Sequence, residues 1–270
     1  MVDSSCGAGG VGDGRGIHEN RPPLADGTAQ LSRPAFYAAG PGRLRDWWTL
    51  LHPPYTAWHL SYVVIGACLA PRVSVVRLVA TLLAFFLAVG VAAHALDELH
   101  GRPLRTEIPS SVLVTAAVVG LAGAVTIGCL GIATIGWTIV PCIVAGPLLV
   151  IAYNAELFGG VVHTDAGFAV AWGAFPVITA YVAQASTLRL APVLAAGAAF
   201  AISFAQRSLS TPARFLRRKV ANVYGELRLA DGTTRPLDQR LVLYPMEKAL
   251  RSMSWGMVLL ATAVALSRLT

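Results

Sequence analysis

The ionisable residues that could do chemistry are concentrated in one short segment, residues 94–109, between two apolar runs. Each run is long enough to cross a bilayer as a helix. His94 lies three residues before Asp97 and four before Glu98, so all three side chains can share one helix face. Ionisable groups at the end of a membrane helix cost free energy, so they usually serve a function. This segment is therefore the first candidate for a functional site.

Two interpretations of these residues stay open. Asp97 and Glu98 are adjacent carboxylates that could hold a Mg²⁺ ion through one oxygen each. Because Mg²⁺ keeps several waters and shares its shell with substrate phosphates, few protein ligands are needed. In the alternative, the acids belong to a solvated helix end and pair with Arg102 or Arg105. The first interpretation makes His94, Asp97 and Glu98 catalytic, with Asp97 and Glu98 as the metal ligands.

The composition is that of an integral membrane protein. Of the 270 residues, 55% are hydrophobic and 13% are charged, whereas soluble domains carry about 25% charged residues. The net charge of +7 is attributed to loops that face anionic lipid. No basic run alternates with aromatic residues as a base-stacking groove requires, so nucleic acid is not an expected partner. The four cysteines lack metal-binding spacing and predict no zinc site or disulfide.

The chain is predicted to form an all-α polytopic transmembrane helix bundle. Residues 1–34 are predicted to be a disordered tail, and 35–206 a membrane bundle with an interfacial lead-in. A basic cytoplasmic segment with a possible β-hairpin follows over 207–252, and residues 253–270 contain the last helix. The seven expected spans are 55–70, 73–95, 111–130, 132–153, 167–185, 190–206 and 253–268.

The basic residues predict a cytoplasmic N-terminus and a C-terminus outside. With that orientation, 17 of the 21 Arg and Lys residues lie in cytoplasmic segments. Residues 94–109, 153–165 and 207–219 then meet at one membrane face. The segment 207–219 contains no acid, and it suits either anionic lipid or a diphosphate bound by arginine. His163, near Asp165, is predicted to form either a proton-transfer pair or a structural hydrogen bond.

A resemblance to a known family covers about residues 50–206. The segment Arg-Pro-Leu-Arg-Thr-Glu-Ile-Pro-Ser at 102–110 resembles the Arg-Pro-(Leu/Ile)-x-x-Gly-x-(Ile/Leu)-Ser element of the UbiA superfamily of intramembrane prenyltransferases. Tyr153-Asn154 ends a span as a Tyr does in that family, and residues 167–177 are similar to its fifth helix.

The resemblance implies a helical bundle that binds an isoprenoid diphosphate with Mg²⁺ at its cytoplasmic mouth. Loss of diphosphate gives an allylic cation that alkylates an aromatic or other acceptor, provided that metal or basic side chains neutralise the leaving group. With this resemblance, Asp165 is expected to be catalytic together with His94, Asp97 and Glu98. The expected substrate-binding residues are Arg102, Arg105, Tyr153, Asn154, Arg207 and Arg214.

The sequence departs from the family in its acidic motifs. Only residues 94–98 represent the first motif, Asn-Asp-x-x-Asp-x-x-x-Asp, and the second motif has no acidic counterpart after the sixth span. Two hypotheses follow. In one, the protein is a prenyltransferase whose basic segment replaces the second metal. In the other, it is a diverged, non-catalytic protein that binds isoprenoid or lipid, or supports a partner. No half-length repeat favours a transporter.

Overall fold

A computed structural model describes residues 33–40 and 42–269, and this part of the chain is nearly all helical. Residues 1–32 of the predicted tail lie outside it. A short hairpin, β1 (Tyr224–Arg228) and β2 (Thr234–Asp238), precedes the last helix. The helices are α1 (Arg43–Leu50), α2 (Pro53–Cys68), α3 (Val75–Leu99), α4 (Ser110–Ile135), α5 (Trp137–Asn154), α6 (Asp165–Ala185), α7 (Leu190–Arg218) and α8 (Gln239–Leu269).

Six of the described helices, α3 to α8, are long and apolar enough to cross a membrane. The described chain therefore has the character of a helical membrane bundle. The segment predicted as a first span is α2, whose 16 residues extend about 24 Å. That length is shorter than the roughly 30 Å core of a bilayer. The prediction of seven spans is not confirmed for this reason.

Helix α2 nevertheless lies at the centre of the bundle. It packs against α6 on one side and α8 on another, and Trp58, Tyr62 and Val63 are almost completely buried. The indole N–H of Trp58 donates to the hydroxyl of Tyr62 (2.8 Å), and the Ser203 hydroxyl of α7 donates to the same oxygen (3.1 Å). A helix that is buried all round needs such internal partners for its polar groups.

The helices alternate in direction, which gathers the sequence-predicted groups at one end. The ends of α3, α5 and α7 lie there with the starts of α2, α4, α6 and α8. We call this the polar end. At the opposite end, Arg77 donates to the carbonyls of Ala183 (3.4 Å) and Gln184 (3.2 Å). The cytoplasmic location of the polar end stays a prediction.

Two membrane helices contain π-helical segments, Phe86–Ala93 in α3 and Ala169–Ala174 in α6. Such segments release backbone carbonyls from the regular helix pattern and occur often at functional sites. Glycine permits close packing in α6, because a Cβ at Gly173 would lie 2.6 Å from the Ser203 hydroxyl oxygen. The π-helical segments therefore adjoin the polar ends of α3 and α6, and the polar end follows the segment in α3 and precedes it in α6.

Helix α7 continues beyond the predicted end of the sixth span, through residues 207–218. The basic residues there extend a helix instead of beginning a loop, because the stretch contains no glycine and the cations suit a helix C-terminus. The predicted hairpin is confirmed: β1 and β2 pair antiparallel, and Gly232 has a φ of 84° in the turn. The Asp231 carboxylate accepts a hydrogen bond from the Thr233 N–H (2.9 Å) in that turn.

Residues 33–40, which we call the strap, lie across the polar end without regular structure. Its residues Ala35 and Ala38 are buried. The Arg218 Nε donates to the Pro34 carbonyl (3.3 Å), and the Ala39 N–H donates to the Thr49 hydroxyl (3.0 Å). The strap is thus attached both to the end of α7 and to the amphipathic helix α1.

Candidate functional site

The carboxylate of Glu98, at the end of α3, holds the following loop. Glu98 is fully buried. One oxygen accepts from the Leu104 N–H (2.9 Å), and the other accepts from the Thr106 N–H and hydroxyl (2.9 Å each). Hydrogen bonds to an ionised group are roughly twice as strong as neutral ones. Both oxygens are occupied, so Glu98 anchors the loop.

Arg102 fixes the other side of the same loop. Its guanidinium donates to the Ile108 carbonyl (2.5 Å) and to the Ser110 hydroxyl (2.6 Å). Arg102 and Arg105 have φ angles of 52° and 57°, which non-glycine residues adopt only at an energetic cost. The guanidinium of Arg102, a predicted substrate ligand, is therefore used within the loop, whereas Arg105 is exposed.

The two predicted magnesium ligands have different surroundings. Asp97 is half-buried, and no described residue forms a hydrogen bond or ion pair with its carboxylate. Glu98 has no free oxygen. Among the residues that the structure describes, no group of three or more His, Cys, Asp or Glu side chains could hold a metal ion. Magnesium at Asp97 and Glu98 stays a prediction, and the surroundings favour Asp97 as the available ligand.

Arg207 joins the turn before α6 to the polar end of α7. Its Nε donates to the Asp165 carboxylate (3.2 Å), and its Nη2 lies 3.4 Å from the Nε2 of His163. The guanidinium carbon lies 5.5 Å from the centre of the Phe168 ring, a cation–π distance. Arg207 therefore contacts both members of the predicted His163–Asp165 pair.

Tyr153 and Asn154 end α5 and differ in role. The Asn154 amide donates to the Val150 carbonyl in its own helix (2.8 Å). The Tyr153 ring stacks on His163 (centroids 4.4 Å apart) and packs against Trp172 (5.2 Å). Its buried hydroxyl has no hydrogen-bond partner among the described residues. Because buried polar atoms normally have partners, this hydroxyl is a candidate ligand contact.

Arg207, Arg214 and Arg218 lie on one stripe of α7, and we call them the arginine cluster. The Nη2 of Arg218 is buried without a hydrogen-bond partner in the described part of the chain. Arg214 is half-buried and forms no hydrogen bond or ion pair with a described residue. Clustered positive charge in a partly buried location attracts anions.

Arg214 is the common neighbour of the groups at this end. It lies within electrostatic reach of the rest of the arginine cluster and of Tyr153 and His52. Asp97 lies within reach of Tyr153 and Arg218. We call the arginine cluster with these three residues the polar-end site. Its members are His52, Asp97, Tyr153, Arg207, Arg214 and Arg218.

Three histidines near the polar-end site each have Nδ1 bound to a backbone carbonyl. Because a carbonyl can only accept, Nδ1 carries the proton in the neutral form of each ring, and the lone pair of that form is on Nε2. Two of the carbonyls belong to the π-helical segments of α3 and α6. The pairs are His94 with Gly90, His59 with Trp172, and His163 with Tyr153, each at 3.0 Å.

The sequence analysis did not identify His52 or Tyr37. His52 precedes Pro53 at the start of α2 and is buried, and its ring stacks on His94 with centroids 4.1 Å apart. Tyr37 of the strap contacts the His52 ring (5.2 Å), and burial raises the pKa of Tyr37 above its ordinary value. The two prolines after His52 were the available signal, since proline favours the first turn of a helix.

An apolar cleft of about 460 Å³ opens between α3, α4, α5 and α6. Its volume is in the range typical of small-molecule sites. Val150, Trp172 and Phe175 are among its lining residues. Because Trp172 also packs against Tyr153, the cleft and the polar-end site meet at this pair of rings.

No protein-family model matches the chain, and no curated protein or solved structure is significantly similar to it. The UbiA resemblance rests on the motif at 102–110, on Tyr153-Asn154 and on residues 167–177. Most polar groups of the first motif hold the loop after α3. The function is therefore argued from the polar-end site itself.

Proposed function

We propose that the protein binds an isoprenoid diphosphate, with the diphosphate at the polar-end site and the prenyl chain in the apolar cleft. The observation that carries this proposal is a set of buried polar atoms without partners among the described residues. These atoms are Arg218 Nη2, Tyr153 Oη and His52 Nε2, and their residues are all within electrostatic reach of Arg214. Guanidinium groups bind phosphate oxygens through paired N–H donors.

The pairing of this site with the cleft selects an amphipathic ligand. An inorganic anion would leave the cleft unused, and a wholly apolar lipid would leave Arg214 and Arg218 without an ion-pair partner among the described residues. The contact between Tyr153 and Trp172 brings the two regions together. A phosphate-type head on an isoprenoid chain satisfies both.

Asp97 implies that the site needs a cation as well as the diphosphate. Its carboxylate has the same sign as a diphosphate and lies within reach of Arg218. A cation shared between Asp97 and the phosphates would remove the repulsion, and Mg²⁺ is suited to such shared coordination. This supports the sequence-based prediction of Mg²⁺, with Asp97 as its protein ligand. When bound, the ion would neutralise phosphate charge.

Prenyl transfer is a second candidate function, and His94 favours it. Its Nε2 has a lone pair because Nδ1 is bound to Gly90, and its ring stacks on His52 at the site. In this reaction the allylic C–O bond breaks and the diphosphate leaves with its electron pair. The acceptor forms the new bond and gives its proton to His94 Nε2. A non-catalytic isoprenoid-binding or accessory protein would use the same site without these steps.

Equilibrium binding of radiolabelled farnesyl diphosphate to the detergent-solubilised protein tests the proposal. An arginine that binds a buried anion is worth about 2–5 kcal/mol when truncated, so Arg214→Gln and Arg218→Gln should each weaken binding by about 30-fold or more. Arg228→Gln, in the exposed strand β1, is the matched control and should bind like the parent protein.

Two outcomes would overturn the proposal: no measurable binding by the parent, or unchanged affinity in both cluster variants. Either would leave contact with anionic lipid as the role of the basic helix end. Prenylated product formed from an aromatic acceptor, and lost in His94→Gln while binding persists, would support the transferase. Binding without product would support the non-catalytic alternative.

A further inference from the structure

His52 combines three unusual features in one residue. Its φ of 46° lies in the left-handed region, which is strained for a side chain other than glycine. It is 6% exposed, and its Nε2 has no partner among the described residues. Strain of this kind persists where the surrounding structure holds it, and it concentrates at functional sites. Pro53, which follows, fixes the start of α2.

His52 is surrounded by titratable side chains. Its ring stacks on His94 (4.1 Å) and contacts Tyr37 (5.2 Å). Burial is the main cause that lowers the pKa of His52 well below its ordinary value, so the side chain is neutral in the free protein. The groups around it are Tyr37 of the strap, Tyr55 and His59 of α2, His94 of α3, and Arg214 and Arg218 of α7. Asp97 lies within electrostatic reach of Tyr37 and His94.

We propose that His52 binds the anionic head group directly through Nε2 and takes up a proton when the anion binds. This inference rests on the proposed function and adds a ligand-binding residue with proton-coupled regulation. The proton comes from the solvent and ends on the imidazole. No bond of the ligand is made or broken.

Proton uptake is expected because the anion changes the electrostatic potential at His52. In the free protein, the nearby guanidinium groups of Arg214 and Arg218 disfavour a charged His52. A diphosphate between them and the imidazole brings more than one negative charge and reverses that effect. Protonated His52 then has an N–H at each ring nitrogen and can donate from Nε2 to a phosphate oxygen. The stack with His94 holds the ring in place for that contact.

Proton uptake can be measured apart from affinity. Farnesyl diphosphate is titrated calorimetrically into the full-length protein at pH 7.5 in buffers that differ in ionisation enthalpy. We expect about one proton taken up per ligand by the parent, in addition to any proton exchanged by the ligand itself. Affinity should weaken by up to about tenfold per pH unit as the bound His52 loses its proton.

Two substitutions separate the roles of Nε2. His52→Gln places an amide donor near Nε2 that needs no proton, so it should bind ligand without the His52-linked proton uptake. His52→Asn tolerates the left-handed backbone but cannot reach the ligand, and it should lose about tenfold or more in affinity, the value of one charge-assisted hydrogen bond. His100→Gln, at the exposed end of α3, is the control. Melting temperatures verify that each variant is folded.

The outcomes distinguish this inference from the proposed function. No binding by the parent overturns both. Ligand binding by the parent with the same proton uptake as His52→Gln, or with the same affinity as folded His52→Asn, overturns the role of His52 and leaves the proposed function standing. If both variants fail to fold, the parent protein alone tests the inference. The inference is refuted if the parent takes up no more protons on binding farnesyl diphosphate than the free ligand takes up when it binds a cation.

Discussion

Replacing Glu98 should damage the protein far more than replacing its neighbour Asp97. The carboxylate of Glu98 is fully buried and accepts three hydrogen bonds from Leu104 and Thr106. Asp97 is half-buried and accepts none from the described residues. The two acids are adjacent in the sequence, so Asp97→Asn is a closely matched control for changes at Glu98.

The magnitude follows from the groups that lose their acceptor. Glu98→Ala leaves the N–H groups of Leu104 and Thr106 buried and unpaired, and each such group costs about 1–3 kcal/mol. The lost side chain adds a cavity, so the total destabilisation should be about 3–5 kcal/mol. Glu98→Gln replaces one acceptor oxygen by a donor and should cost about 2–3 kcal/mol. Asp97→Asn should change stability by less than about 0.5 kcal/mol.

The assay is thermal unfolding in detergent, followed by limited trypsin digestion at a temperature below the transition. Arg105 is exposed, so loosening of the loop should increase cleavage after this residue in both Glu98 variants. The reasoning is refuted if Glu98→Ala melts and is cleaved like the parent, or if Asp97→Asn is destabilised to the same extent. Either result would show that the loop does not depend on the Glu98 carboxylate.

Further predictions concern packing, a buried ion pair and orientation. Gly66→Ala should prevent close packing of α2, because a Cβ would lie 2.8 Å from a backbone carbon of α6; the yield of folded protein should fall, whereas Gly256→Ala, in open space, should have no effect. Arg217→Met should cost about 3–5 kcal/mol by leaving the buried Glu247 carboxylate without its partner, and adding Glu247→Leu should restore part of the loss in thermal stability. A cysteine at Thr233 should resist impermeant thiol reagents in intact cells, and its labelling from outside would refute a cytoplasmic polar end.

Much of the fold could be predicted because the bilayer imposes a simple pattern. Apolar runs of sufficient length predicted α3 to α8, and the Asp231-Gly232 turn predicted the hairpin between β1 and β2. The prediction of seven spans was not confirmed, since hydropathy does not distinguish a short buried helix such as α2 from a spanning one. The sequence predicts a sixth span that ends at 206, because the apolar run stops there, whereas the helix continues through the charged residues to Arg218.

The site was less predictable, because it depends on which atoms already have partners. Asp97 and Glu98 are equivalent in the sequence, yet only Asp97 keeps a free carboxylate in the described structure. The guanidinium of Arg102, a predicted substrate ligand, binds within the loop, while Arg214 has no hydrogen-bond or ion-pair partner among the described residues. No spacing rule identifies His52, whose neighbours come from the strap, α3 and α7.

The π-helical segments link the two parts of the proposed binding site. The Gly90 carbonyl, which lies in the π-helical segment of α3, accepts a hydrogen bond from the imidazole of His94. One residue added to a turn rotates everything that follows by about 100°, so the segment in α3 decides where His94 and Asp97 point. Residues of the same segments, Val89 in α3 and Trp172 in α6, line the apolar cleft. The backbone irregularity that orients the head-group residues therefore also supplies part of the lining of the cleft, which extends from this level to Arg77 at the opposite end of the bundle.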